Sequence, residues 1–179
     1  LGLVAGGGFF YASRKPFPQI SGTLRVSGLQ GNVTVIRDKW GVPHIYADSP
    51  HDLFLAQGYV TSQDRLWQME FWRRIGAGRL SEVLGKSALG NDLFIRAIGW
   101  RRAAEADFKL LGSEEHDVLQ WYADGVNAFV STHKDNLPLE FTILGLTGSK
   151  FALEPWTPVD TITWGKVMAW DLGGNWDDE

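Results

Sequence analysis

Two short β-prone runs, Val33-Thr-Val-Ile36 and Val42-Pro-His-Ile-Tyr46, stand near the head of a chain whose remaining patterning is helical. Arg37-Asp-Lys-Trp-Gly41 joins them, and a tight turn with Gly41 in the left-handed region makes the pair a hairpin. A lone two-stranded hairpin is barely stable in water and must join a larger sheet. The rest of the chain supplies few further strands. The missing strands are therefore expected on another chain or on a continuation of this one. The expected fold class is α+β: mostly helical, with one small hairpin.

The helical segments declare themselves by their starts. Ser49-Pro-His-Asp52 offers an N-cap, a first-turn proline and a capping-box acid. It opens a helix to about Arg74, with Leu53, Phe54, Val60, Trp67 and Phe71 at near-helical spacing and Arg73 and Arg74 suiting its C-terminal end. Gly76 and Gly78 break the pattern, and a short helical turn around Leu80–Leu84 stops at Gly85. Asp92 to Leu111 reads as one helix closed by Gly112. Ser113 is expected to cap the next, which carries Glu114 and Glu115 in its first turn and an apolar stripe through Val118, Leu119, Tyr122, Val126 and Phe129. Residues 134–155 read as a mixed connection. Thr157-Pro-Val-Asp160 repeats the Ser49 capping logic and opens a last helix to about Leu172.

With 179 residues, 44% of them hydrophobic and 21% charged, the chain suits one domain or one subunit. Its nine Trp and ten Phe are rings that must pack against something, a partner chain included. A net charge of −4 gives no basic footprint, so no nucleic-acid partner is expected. The absence of Cys removes disulfide and thiolate chemistry. Leu1 to Ala12 is apolar and Gly-rich, followed by Ser13-Arg-Lys15, and is too short to span a bilayer. Residues 1–25 read as the remnant of a signal sequence or anchor, or as an extended segment packed on the fold. Both ends suggest a piece of a longer precursor.

Self-contained catalysis has no local motif here: Gly-x-Ser-x-Gly, a P-loop and His-Glu-x-x-His are all missing. His44, His51, His116 and His133 lack metal-ligand spacing, and His44 reads as a structural histidine that bonds backbone. Asp64 and Arg65 are either active-site groups or, more simply, a buried or half-buried ion pair that locks helix to sheet. Arg79 and Glu82 are expected to tie down the Gly-rich corner. Trp100, Trp121, Trp156, Trp164, Trp170 and Trp176 form either a carbohydrate platform or, better, core and interface packing. The segment Met168 to Glu179 leaves its helix at Gly-Gly and then bunches Asp177, Asp178 and Glu179. Acids near a helix C-terminus oppose the macrodipole. A cation bound by carboxylate oxygens would compensate, and calcium fits such oxygens better than zinc or copper. A solvated acidic tail is the alternative.

Several of these stretches together resemble one family. Val35-Ile-Arg-Asp-Lys-Trp-Gly-Val-Pro-His-Ile-Tyr-Ala47, Leu55-Ala-Gln-Gly-Tyr-Val-Thr-Ser-Gln-Asp-Arg-Leu-Trp-Gln-Met69, Gly78-Arg-Leu-Ser-Glu82, Trp156-Thr-Pro158 and Met168 to Glu179 are similar, in this order, to the α-subunit signatures of penicillin acylases. The resemblance runs from about residue 32 to the end. It implies that residues 26–179 are a penicillin-acylase-type α subunit, incomplete without a β subunit from the same self-cleaving, exported precursor. Together the two would build the four-layer αββα core of an N-terminal-nucleophile hydrolase, periplasmic or secreted, either free or membrane-anchored through the N-terminus.

The same resemblance implies that no catalytic residue lies in this chain. The β chain's N-terminal Ser would be nucleophile and base, its α-amine titrating near ~8 and so able to take the hydroxyl proton. Met168, Asp171 and Leu172 would be the substrate-binding residues, lining the acyl pocket. Leu172 stands where benzyl-penicillin acylases often carry Phe, and Asp171 where they often carry Arg, so an aliphatic acyl group and a changed charge at the pocket mouth are expected. Glu179, or Asp178 if the register shifts by one, would bind a structural calcium. The substrate would be the side-chain amide of a β-lactam or a similar N-acyl compound. On the same scaffold the alternatives are N-acyl-homoserine lactones or N-acyl amino acids. The remote rival is a non-enzymatic, aromatic-rich envelope module.

Overall fold

The computed structural model describes residues 17–146 and 153–173. After an extended lead-in come β1 (Thr34–Arg37) and β2 (Pro43–Tyr46), followed by α1 (Pro50–Ala77), α2 (Ser81–Leu84), a 3₁₀ turn (Gly85–Ala88), α3 (Leu89–Ile98), α4 (Trp100–Phe108), α5 (Ser113–His133), α6 (Leu139–Leu146) and α7 (Pro158–Gly173). The mostly helical α+β expectation holds. β1 and β2 pair antiparallel with Thr34 opposite Tyr46 and Arg37 opposite Pro43. Among the described residues this two-stranded sheet has no third strand. The connecting turn is held by the Asp38 carboxylate, whose Oδ1 accepts from Trp40 N at 2.8 Å and Val42 N at 2.9 Å. Gly41 takes φ +81° there, as the turn demands.

α1 runs 28 residues, further than its glycines suggest. Its start is capped by Ser49 Oγ, which accepts from Asp52 N at 3.2 Å. The Asp52 carboxylate does not close the box; it reaches out of the helix to Gln30 N and Gly31 N, fixing the lead-in. The helix ends in a Schellman arrangement: Gly78, at φ +62°, donates to Ile75 O, and Arg79 N donates to Arg74 O. At Arg65 the backbone leaves helical values (φ −139°, ψ 15°). In the turn before that break, Thr61 Oγ1 and Ser62 Oγ donate back to the carbonyls of Gln57 and Gly58, a habit that bends helices.

The central contact is α1 crossing α5, and two glycines permit it. A Cβ on Gly58 would sit 2.1 Å from Tyr122 O, and one on Gly125 would sit 1.9 Å from Leu55 O. The backbones therefore touch where side chains would hold them apart. Around the crossing lie two cores: Tyr59, Leu66, Phe129 and Phe141, and, beyond them, Ala123, Val126 and Trp156. Asn127 secures the second by bonding both backbone groups of Trp156, at 2.8 and 2.9 Å.

Three segments differ from the sequence expectation. Asp92–Leu111 is two helices, because Gly99 adopts φ +84° and reverses the chain's helical sense. Asp92 opens neither of them: it lies inside α3, buried, and its carboxylate caps α2 by accepting from Leu80 N and Ser81 N. Ser113 makes no cap; Gly112 is the extended residue before α5 and Ser113 is its first turn. The connection 134–155 contains α6, which buries Phe141 against Trp67.

Candidate functional site

The last helix carries the three residues singled out for substrate, so its placement matters most. At its base, Asp160 Oδ2 accepts from Thr157 N and Thr157 Oγ1, at 2.8 and 2.7 Å. This is the half of a capping box that Asp52 leaves out. The other Asp160 oxygen pairs with Arg101 of α4, and Arg73 of α1 stands 3.7 Å away. Further along, Lys166 pairs with Asp107 of α4, and Trp164 stacks at a tilt on Trp72 of α1, with centroids 4.6 Å apart. Val167 and Thr163 face Gly76 in the last turn of α1.

Beneath this base lies a charged junction. Glu70, 2% exposed, sits between Arg73 and Arg74. Burial pushes the Glu70 carboxyl up, and the two guanidiniums pull against that without cancelling it. Arg73 also donates to the carbonyls of Glu154 and Pro155, each at 3.1 Å, and its guanidinium lies over the Trp156 ring. Arg74 pairs with Glu82, and Arg79 binds Glu82 and Glu154 with both sides of its fork. The Arg79 hydrogen bond holds Glu154 down to about 2, against an opposing push from burial. Arg79 thus ties down the Gly-rich corner as expected. Arg73 and Arg74, in contrast, are not helix-end charges in solvent; they are buried structural cations. The signal that was available for this is density: three arginines and two glutamates within Glu70–Glu82 exceed what a solvated helix end needs.

The tip of α7 is different. Met168 is 42% exposed, Leu172 78%, and Asp171 is exposed. Their i, i+3, i+4 spacing puts all three on one face. Trp170, on another face, meets Trp100 of α4 edge-on at 5.8 Å. The structure therefore brings the three residues together as an open patch on a clamped helix. One turn earlier, a recess of about 240 Å³ opens between α1, α5 and α7, lined by Met69, Trp72, Tyr122, Trp156 and Trp164. Asp178 and Glu179 lie outside the described residues, as does Trp176. Among the described residues no group of three His, Cys, Asp or Glu gathers to hold a metal.

The other sequence candidates resolve as follows. Asp64 does lock helix to sheet, but through Arg37 of β1, whose two terminal nitrogens meet its two oxygens at 2.9 and 3.0 Å. Arg65 is exposed at the break in α1 and is not Asp64's partner. Arg37 was missed because the match between strand and helix is 27 residues apart in sequence. His44 does not bond backbone; its Nε2 stands 3.7 Å from Asp38 Oδ2 on the exposed turn. Burial pushes the Asp38 carboxyl up, but the Trp40 and Val42 amides and His44 outweigh it and leave the group below its ordinary value. Among the described residues the tryptophans form no single platform: Trp156 is buried, Trp121 meets His51 edge-on, and Trp164 and Trp170 face different helices. No described helix is long and apolar enough to cross a membrane.

The family model of penicillin amidase matches residues 32–179. Over 165 residues the chain is 39% identical to the penicillin acylase 2 proenzyme of Pseudomonas sp. (strain SE83), covering 92% of this chain and 20% of that one. It is 34% identical over 162 residues to the acyl-homoserine lactone acylase QuiP of Pseudomonas aeruginosa, covering 90% of this chain and 18% of that one. The chain thus spans about a fifth of the length of the curated relatives it matches. The thermostable penicillin G acylase from Alcaligenes faecalis is similar in structure, with a TM-score of 0.69, 32% identity and coverage of 82% of this chain and 77% of that chain.

Proposed function

The chain belongs to the penicillin amidase family, and from that premise we propose that it is the α subunit of an acylase, supplying one wall of an acyl pocket whose reactive groups lie on a partner chain. The observation that carries this reading is the contrast along α7: a base held by buried ion pairs, and a tip that displays Met168 and Leu172 to the outside. A helix fixed this firmly, with apolar side chains in the open, suits a surface completed by something else. The hairpin makes the same demand, with Ile36, Val42 and Tyr46 more than half exposed on a two-stranded sheet. Coverage supports a divided protein: the chain accounts for 77% of the Alcaligenes faecalis acylase chain but 20% of the Pseudomonas proenzyme.

In this reading the β chain begins with Ser. Its hydroxyl oxygen adds to the amide carbonyl while the free α-amine takes the proton, and that proton then leaves with the departing amine. Water hydrolyses the resulting ester and regenerates the serine. This chain contributes binding. Met168 and Leu172 bury the acyl group, and Asp171 places an acid beside the mouth. The leucine, where a ring is common in the family, favours an aliphatic or flexible acyl group over a benzyl one. Acyl-homoserine lactones are the second substrate class, favoured by the similarity to the Pseudomonas aeruginosa acylase named for them. We further propose a structural calcium held by Glu179, or by Asp178, with the remaining ligands on the partner. Three consecutive acids and the oxygen-only donor set support this. We also propose export to the periplasm or beyond, a reading supported by the apolar, Gly-rich residues 1–12.

The test is to purify the companion chain and sequence its amino terminus, then offer the complete enzyme phenylacetyl, hexanoyl and decanoyl amides and the matching homoserine lactones. A cleaved junction opening on Ser, with turnover of at least one series, is expected. An uncleaved chain would overturn the mechanism.

A further inference from the structure

We propose that Gly76 is a positioning residue for acyl selectivity: its missing side chain sets how far α7 approaches α1, and hence where Met168 and Leu172 stand. The inference rests on the acyl-pocket reading above. A Cβ on Gly76 would lie 2.8 Å from Thr163 Cγ2 and 3.0 Å from Val167 Cγ2. Ordinary carbon contact begins near 3.5 Å, so α7 would have to move by roughly 0.7 Å. Backbone conformation does not require glycine here, because Gly76 lies inside α1 and is not among the glycines of positive φ. Close approach alone requires it.

Gly76 differs in this from its neighbours. Gly58 and Gly125 face backbone carbonyls, and Gly78 has φ +62° with Asp92 O at 2.8 Å, so a side chain at any of them opposes the fold itself. Gly76 meets two methyl groups on one helix, so a side chain there displaces an element. The methyls cannot easily turn away. Thr163 is 1% exposed and its Oγ1 donates to Val159 O at 2.7 Å, which fixes the rotamer; Val167 is 6% exposed. On α7's other side, Arg101, Asp107 and Trp100 of α4 engage Asp160, Lys166 and Trp170. A push from α1 is therefore carried along the helix. Met168 follows Val167 directly, and Leu172 lies about 7.5 Å beyond Val167 along the axis, so a tilt about this contact grows toward the tip. Displacements below 1 Å in a site of this kind change rates strongly.

The experiment uses the complete, processed enzyme and p-nitroanilides of acyl groups from butanoyl to dodecanoyl. Gly76→Ala is expected to change the ratio of kcat/KM between short and long acyl groups by about tenfold, the lower end of what one methylene is worth in such a pocket. The change should appear chiefly in KM. Adding Thr163→Ser and Val167→Ala removes both methyls and should restore the parental profile. If Gly76→Ala does not mature, Thr163→Ser and Val167→Ala in the native background open space beside Gly76, let α7 settle closer to α1 and should shift the preference the opposite way. An unchanged length profile in every variant that matures overturns the proposal. Met168→Ala and Leu172→Ala separate the two readings: if neither alters the profile, the acyl-pocket assignment fails; if they alter it and the Gly76 series does not, only the positioning role fails.

Discussion

The two ends of α7 obey opposite rules. Its base, at Asp160, is polar and buried; its tip, at Met168 and Leu172, is apolar and exposed. Ordinary burial statistics would reverse both. The base reverses them because carboxylates and guanidiniums from α1, α4 and α7 neutralise one another, and the Arg73 guanidinium also donates to the carbonyls of Glu154 and Pro155. The tip reverses them because nothing in the described residues covers it. A helix made rigid by ions and displayed by its apolar end is a mounting for a binding surface, and that difference can be tested from both sides.

Breaking the base should have the largest effect. Glu70→Gln leaves Arg73 and Arg74 without their central counter-charge, and removing one partner of a buried ion pair costs about 3–5 kcal/mol. The denaturant midpoint of the complete protein should fall accordingly; an unmoved midpoint would show that the junction relaxes into solvent. At the tip, Leu172→Ala should leave stability within about 0.5 kcal/mol in the absence of a partner. It should nonetheless alter acyl preference in the assembled enzyme by ~10-fold or more. Intermediate between them, Trp100 and Trp170 should show a coupling of about 0.5–1.5 kcal/mol in a double-mutant cycle, as edge-on aromatic pairs do.

The smallest effect is acid sensitivity at the corner. Glu154 is held at about 2, against an ordinary 4.5. A carboxyl whose folded value is depressed stabilises above its unfolded value and loses that contribution as pH falls through the folded one. Stability should therefore decline between pH 4.5 and about 2. Glu154 is half exposed, so solvent screening keeps the effect modest. Arg79→Met should flatten the decline, and a slope that survives this change would assign it to other carboxylates.

Much of the architecture was legible in the residues. Caps at Ser49 and Thr157, the hairpin turn at Gly41 and the apolar stripe of α5 are local signals, and local hydrogen bonding reproduces them. What stayed hidden was long-range. Gly99 reads like any helical glycine until its φ is known, and α6 is a short apolar run anchored by Phe141 alone, packed in the cluster of Tyr59 and Leu66 beside Trp67. Asp64 was recognised as a tie between helix and sheet, yet its partner Arg37 was not, since no periodicity links the two. Met168, Asp171 and Leu172 were reached through family resemblance; the residues that hold them in place, Gly76, Arg101 and Asp160, carry no motif.

By itself, then, the sequence determined the helices opened by Ser49 and Thr157, the hairpin and the membership of a family, because caps, turns and ordered motifs depend on neighbours along the chain. Only the tertiary structure decided that two backbones meet at Gly58 and Gly125, and that a buried charge cluster is the footing of an exposed apolar tip. Both depend on groups brought together from distant positions, where burial strengthens each charge and close packing leaves room for one atom or for none.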